Sequence, residues 1–113
     1  MPTAEDRYDE AIALKEAGKL DEAVAQLEQL VADEPDYALA YAGLSAFYSK
    51  LERHDQAVEY AQKVCELDPE DPFSYMSKSL ICQKAGRIAE AEQALTQAME
   101  KQWAARRKAS PEA

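Results

Sequence analysis

The chemical groups on which enzymes and metal sites depend are scarce in this sequence of 113 residues. It contains one histidine, His54, and two cysteines, Cys65 and Cys82, whose spacing is not that of a metal site. No phosphate-binding loop, zinc-ligand spacing or nucleophile with a neighbouring base occurs in it. We therefore predict a non-enzymatic protein with no catalytic residue, cofactor or metal, in which both cysteines are reduced and lie in the core.

Long apolar runs and an excess of positive charge are also missing. No segment approaches the roughly 20 apolar residues that cross a bilayer. Residues 1–6 are polar and acidic, unlike a secretory signal. The 13 basic residues are outnumbered by 22 acidic ones, which argues against nucleic acid as a partner. We therefore expect a cytoplasmic protein that has neither a nucleic-acid nor a membrane partner.

Glycine and proline are few, and residues that favour helices dominate. Three glycines and five prolines occur at wide intervals, and no stretch alternates polar and apolar residues as a strand would. Thr3 with Asp6, and Asp71 with Pro72, are typical of helix starts. The predicted fold class is all-α, with six helices over residues 4–17, 21–33, 38–51, 55–67, 72–85 and 89–107.

Several residue types recur at an interval of 34 residues. The repeating columns are Ala23, Ala57 and Ala91; Pro35 and Pro69; and, at twice the interval, Gly18 and Gly86. The glycines stand where a helix ends in a left-handed conformation. Glu52 occupies the equivalent position of the middle repeat, where we expect it to lower stability by about 1 kcal/mol relative to glycine. The period divides the chain into three helix pairs, over residues 4–37, 38–71 and 72–105.

The middle pair carries the clearest family pattern of large, small and terminating residues. These residues are Tyr41, Leu44, Tyr48, Ala57, Val64 and Pro69. On this pattern the chain resembles the tetratricopeptide repeat family over residues 4–105, although Arg7, Glu10 and Lys78 replace bulky apolar residues of that family. The resemblance implies one domain over residues 1–113. It would be an α-solenoid of three antiparallel helix-turn-helix repeats in a right-handed superhelix, followed by a short basic tail at 106–113.

The resemblance also implies a concave groove, lined by the first helix of each repeat, that holds a peptide or helix of another protein. Helical spacing selects nine candidate contact residues on that face. They are Tyr8, Ile12, Leu39, Ala42, Gly43, Ala46, Phe73, Met76 and Leu80. Such a surface favours a peptide or amphipathic helix with apolar anchors. Related domains hold acidic chaperone tails with a clamp of lysine, asparagine and arginine side chains. The resemblance places this clamp at Tyr8, Ile12, Gly43, Phe73 and Ser77, none of which fits it, so we do not expect that function.

Two of these assignments have alternatives. Gly43 lies inside a predicted helix, where it either leaves room for a ligand side chain or a close helix, or is a tolerated substitution. Phe73 and Met76 either contact a partner or pack between repeats, because apolar stripes usually belong to a core.

The last helix offers a second candidate surface. Leu95, Met99 and Trp103 are four residues apart and form one apolar stripe. We predict self-association through this end, or insertion of this helix into the groove of a neighbouring copy. In the alternative, this long helix caps its own repeat. The charge is uneven, since residues 1–71 carry 6 basic and 18 acidic side chains while residues 72–113 carry 7 and 4. The basic run at 106–108 therefore either meets the acidic repeat of another copy or only complements the helix dipole.

Overall fold

All regular structure in the described part of the chain is α-helical. The computed structural model describes residues 1–109. Its helices are α1 (Ala4–Glu16), α2 (Leu20–Asp33), α3 (Ala38–Lys50), α4 (His54–Leu67), α5 (Pro72–Lys84) and α6 (Ile88–Ala109). The predicted bounds agree to within one residue, except that α6 ends two residues later than predicted. The predicted helix and the predicted tail overlapped at 106–107, and the structure places these residues and 108–109 in α6. Residues 110–113 lie outside the described residues.

The capping and turn residues predicted from the sequence explain where helices begin and where the chain turns. The Thr3 hydroxyl accepts a hydrogen bond from the Asp6 backbone amide, and the Asp6 carboxylate accepts one from the Thr3 backbone amide. Two backbone donors at the start of α1 are thereby satisfied. At the turn inside each repeat, Gly18, Glu52 and Gly86 have φ angles of 81°, 59° and 78°. Glu52 is the one residue other than glycine with a positive φ in the described part, as its column predicts.

Consecutive helices pack as antiparallel pairs, and the pairs stack along the chain. Ala23, Ala57 and Ala91 are at most 1% exposed, so that the two helices of each repeat approach closely. The buried hydroxyl of Ser45 donates to the Ala57 carbonyl oxygen at 2.8 Å, which satisfies a polar group where the helices touch. The Ser79 hydroxyl makes the equivalent bond in the third repeat, also at 2.8 Å. The result is an α-solenoid measuring 49 × 36 × 22 Å.

The first end of this solenoid is polar. Arg7 forms an ion pair with Asp33 at 2.9 Å, and the Gln26 amide donates to the Glu10 carboxylate at 3.1 Å. Each pair joins α1 to α2 and is open to solvent. Polar residues are therefore suited to the two positions where the family pattern has apolar ones.

Both cysteines are buried and unpaired. Burial raises the pKa of the Cys65 thiol and of the Cys82 thiol, because it disfavours the thiolate. The Cys65 Sγ lies 3.4 Å from the Ser74 carbonyl oxygen, to which the thiol donates. These thiols pack as small apolar groups.

Candidate protein-binding groove

A pocket opens where the second repeat meets the third. It holds about 330 Å³ and lies between α3, α5 and the end of α4. Its lining residues are Ala38, Leu39, Ala42, Val64, Asp68, Asp71, Phe73, Ser74 and Ser77. We call this space the α3–α5 pocket. Three of the nine candidate contact residues, Leu39, Ala42 and Phe73, line it, so the structure brings part of the predicted surface together.

The apolar side chains around this pocket are open to solvent. Phe73 is 69% exposed, Leu39 46% and Met76 40%, and Leu80, one helical turn beyond Met76, is 58% exposed. Phe73 and Met76 therefore do not pack between repeats. A run of large apolar side chains left exposed on one helix indicates a surface available to a partner.

Gly43 lies beneath this surface. It is buried, and a Cβ atom at this position would lie 2.8 Å from Leu27 Cδ1 and 3.3 Å from Tyr8 Cε1. Because glycine has no side chain, α1 and α2 of the first repeat can pack closely against α3 at this position. This packing explains why a glycine stands inside α3. Tyr8 and Ile12 are half-buried against the core, whereas Ala46 is exposed.

Carboxylates line the edge of the α3–α5 pocket. Asp68 and Asp71 are exposed, and Asp71 Oδ1 accepts from the Phe73 amide at 3.0 Å, which begins α5. No basic residue lines the pocket. The pocket therefore combines apolar walls with a negative edge.

The first repeat adds negative charge near α3. Burial, and then the Glu5 and Asp9 carboxylates, raise the pKa of the Tyr37 hydroxyl. Burial, Tyr37 and Asp9 likewise raise the pKa of Tyr8. These shifts indicate that carboxylates of α1 lie close to the start of α3, so a second acidic area adjoins the row of candidate contact residues.

A tyrosine cluster between the first two repeats was not predicted. The Glu28 carboxylate accepts from the Tyr48 hydroxyl at 2.5 Å and from the Tyr60 hydroxyl at 2.6 Å. The two rings stack with centroids 5.7 Å apart. Burial and the bond to Glu28 raise the pKa of Tyr48 to about 12 and also raise that of Tyr60. Tyr48 is 5% exposed, and the cluster joins α2, α3 and α4.

The stripe on α6 is exposed as well. Leu95 is 45% exposed, Met99 62% and Trp103 59%. The side chains at 102–109 are all exposed, so the last two turns of α6 extend beyond the helix pair. The stripe is therefore not covered by its own repeat, which was the alternative considered from the sequence.

Neither a membrane span nor a metal cluster is found in the part of the chain that the structure describes. No helix there is both long enough and apolar enough to cross a bilayer. No group of three or more His, Cys, Asp or Glu side chains there is arranged to hold a metal ion.

Comparison with known families identifies the repeats. The family model described as Tetratricopeptide repeat matches residues 8–72, and a second model of the same description matches residues 74–100. The chain belongs to the tetratricopeptide repeat family. The resemblance inferred from the 34-residue period is thereby confirmed, as is the all-α solenoid.

Similar proteins match between about half and most of this chain. Human protein O-mannosyl-transferase TMTC1 is 38% identical over 55 residues, which are 49% of this chain and 6% of that protein. A crystal structure of MamA is 27% identical with a TM-score of 0.83, and the match covers 93% of this chain and 61% of that one. The second tetratricopeptide domain of Spaghetti (RPAP3), bound to the HSP90 peptide SRMEEVD, has a TM-score of 0.75 at 19% identity. That match covers 85% of this chain and 89% of the other. The chain thus spans about three fifths of the MamA chain and a small part of the human protein.

Proposed function

We propose that this protein is a non-enzymatic adaptor or scaffold that binds an apolar or amphipathic peptide or helix of another protein in its groove. The observation that carries the proposal is the α3–α5 pocket, with Leu39 and Phe73 exposed at its wall. Repeats of this family generally serve as non-catalytic adaptors, and the Spaghetti domain shows that the fold can carry a bound peptide.

The pocket is large enough for one bulky side chain of a partner. Its volume of about 330 Å³ is at the lower end of ligand sites. Each buried anchor of leucine size contributes about 1.5–3 kcal/mol before ordering costs. Two or three anchors, one in the pocket and others along Met76 and Leu80, give an affinity of about micromolar strength.

The acidic edge adds a charge preference. Asp68 and Asp71 lie at the pocket, and Glu5 and Asp9 lie near the start of α3. A partner with Lys or Arg beside its apolar anchors is attracted to this edge, whereas an acidic tail is repelled. The proposed ligand is therefore a peptide or helix with apolar anchors and basic flanks, and nucleic acid is not proposed as a partner.

Selection from a random library of 15-residue peptides displayed on phage tests this proposal. We expect selected peptides to carry two or three apolar anchors with basic neighbours. Fluorescence anisotropy with a labelled selected peptide then measures affinity. Phe73→Glu should weaken binding at least tenfold, because it removes an anchor contact and adds charge. The new carboxylate suits the first turn of α5, so folding should be preserved.

Ile88→Glu is the matched control. Ile88 is 55% exposed at the start of α6 and does not line the pocket, so the same change there should leave the affinity within twofold. Equal effects of the two substitutions, or enriched peptides without apolar anchors, would contradict the proposal.

The exposed stripe on α6 favours a second function, self-assembly through the uncapped C-terminal helix. Leu95 stands 34 and 68 residues after Ala61 and Leu27, which are 3% and 0% exposed. Light scattering over a wide concentration range tests this function. A dimer or larger species supports it, and a chain ending at residue 102 should be monomeric yet still bind the selected peptide. A monomer at all concentrations removes this second function and leaves the groove proposal intact.

A further inference from the structure

The stripe on α6 occupies positions that are covered in the preceding repeat. Leu95 and Met99 correspond to Ala61 and Cys65 of α4, which are 3% and 4% exposed because α5 packs against α4. No described helix packs in the same way against α6. The third repeat therefore presents the kind of surface that elsewhere in this molecule receives another helix.

The polar first end excludes one candidate occupant, the α1 side of another copy. That side carries the Arg7–Asp33 ion pair and the hydrogen bond between Gln26 and Glu10. Covering these groups with apolar side chains would desolvate them without replacing their contacts with water. Head-to-tail stacking of copies onto this polar end is thus disfavoured, whereas a symmetric contact between two α6 helices leaves the polar end uncovered.

We propose that two copies of this chain pair through α6, antiparallel, about a two-fold axis at Met99. This proposal rests on the second function above and specifies its geometry. With 3.6 residues per turn, six side chains lie within about 40° of one line along α6. They are Ile88, Glu92, Leu95, Met99, Trp103 and Arg106.

A two-fold axis at Met99 brings together side chains of the two copies that fit in size and in charge. Leu95 comes to the height of the partner's Trp103, and Glu92 faces the partner's Arg106. Because the interface is symmetric, each of these contacts occurs twice. The exposed turns at 102–109, which have no cover in one copy, are covered by the other. A helix end without tertiary contacts is marginally stable in water, so this cover favours association.

Neighbouring registers lose these matches. If the pairing slips by four residues in one direction, Glu92 faces Gln102 and Ile88 faces Arg106. If it slips by four in the other direction, Arg106 faces Thr96 and loses its contact with Glu92. Each shifted pairing either places a charged side chain against an apolar one or leaves a charged side chain without an opposite charge. The sequence therefore favours the pairing centred on Met99.

Cysteine cross-linking tests the axis directly. Met99→Cys should form a disulfide-linked dimer under mild oxidation, because the two sulfurs meet at the axis. Leu95→Cys alone should cross-link at least fivefold less, because the two positions lie about 12 Å apart along the helices. An equal mixture of Leu95→Cys and Trp103→Cys should restore the linked dimer. The unmodified chain is the control for Cys65 and Cys82, which are buried.

Charge reversal tests the register by a second route. Arg106→Glu should weaken dimerisation about tenfold, since two exposed pairs are lost and two repulsions are added. Adding Glu92→Arg to that variant should restore it. Arg107→Glu is the matched control, because Arg107 lies outside the line of six side chains, and it should change the dimer constant less than threefold.

The outcomes separate this geometry from the function on which it rests. A dimer that cross-links best through Met99→Cys and is rescued by the charge swap supports the pairing. A dimer in which Leu95→Cys cross-links as well as Met99→Cys overturns the pairing while self-assembly stands. A monomer at all concentrations overturns both.

Discussion

Replacing Glu52 by glycine should stabilise this protein, and the gain follows from one backbone angle. Glu52 has φ 59° at a turn where the other two repeats have glycine. The left-handed conformation costs a residue with a Cβ atom about 1–2 kcal/mol. Glycine removes that cost but gives the unfolded chain more freedom, which takes back about 0.5 kcal/mol. The net expectation for Glu52→Gly is about 1 kcal/mol of added stability.

Thermal and urea unfolding followed by circular dichroism measure this change. For a domain of this length, 1 kcal/mol corresponds to a rise in Tm of about 4 °C. Two controls isolate the backbone effect. Glu52→Ala retains the Cβ atom and should gain far less than Glu52→Gly. Gly86→Ala should lose about 1 kcal/mol, because a Cβ there meets nothing within 4 Å and only the φ of 78° opposes it.

The reasoning is refuted if Glu52→Gly and Glu52→Ala have the same Tm. In that case the glutamate carboxylate, and not the backbone, would set the stability of this turn. It is refuted also if Gly86→Ala unfolds at the Tm of the unmodified chain.

Three further predictions concern the interior. Gly43→Val should destabilise the fold by about 2 kcal/mol, because its side chain would overlap Leu27 at the place where a Cβ already lies at 2.8 Å; an unchanged urea midpoint would contradict this. Glu28→Gln should cost about 1–2 kcal/mol, because two charge-assisted bonds to Tyr48 and Tyr60 become neutral ones; urea unfolding at pH 7 measures it. At alkaline pH the unmodified chain should lose stability as the pH rises from about 10 towards 12. The folded pKa of Tyr48, about 12, exceeds its unfolded value, so the contribution is complete below pH 10 and is lost above it. Urea midpoints between pH 9 and 12 should fall less steeply in Tyr48→Phe, and equal slopes would exclude this tyrosine as the cause.

The helices and their order were predictable because their signals are local or periodic. Pro72 and the Asp71 cap begin α5 through contacts within a few residues, and the left-handed turns follow from Gly18 and Gly86. The 34-residue columns then fixed the stacking of the helix pairs. For Glu52 the column even predicted the sign of φ at a residue that rarely adopts it.

The details of the site depended on contacts between repeats, which no single column shows. Gly43 looked like an open groove position, but Leu27 of the preceding repeat fills the space beside it. Asp68 was not singled out, because its place at the pocket follows from how the end of α4 meets α3 and α5. A charged residue at a repeat boundary, beside exposed apolar positions, is the signal by which it could have been found.

The Glu28 cluster illustrates a further limit. Its three members lie on α2, α3 and α4, and each alone is compatible with an ordinary surface or core position. Pairing a carboxylate with two hydroxyls 20 and 32 residues away requires the three-dimensional arrangement of the repeats. Sequence spacing alone therefore gave no reason to connect them.

If copies pair through α6 as proposed, the contrast between the two ends of the described helices would limit how far they associate. An unlimited fibre requires each unit to present two mutually complementary surfaces, one for the unit before it and one for the unit after it. Here α1 and α2 close one end with paired charges, while the apolar stripe lies at the other. In the pairing proposed above, the apolar stripe would be covered by one partner, so the assembly would hold two copies with both polar ends facing solvent. The ion pair between Arg7 and Asp33 would then help to restrict the assembly to two copies.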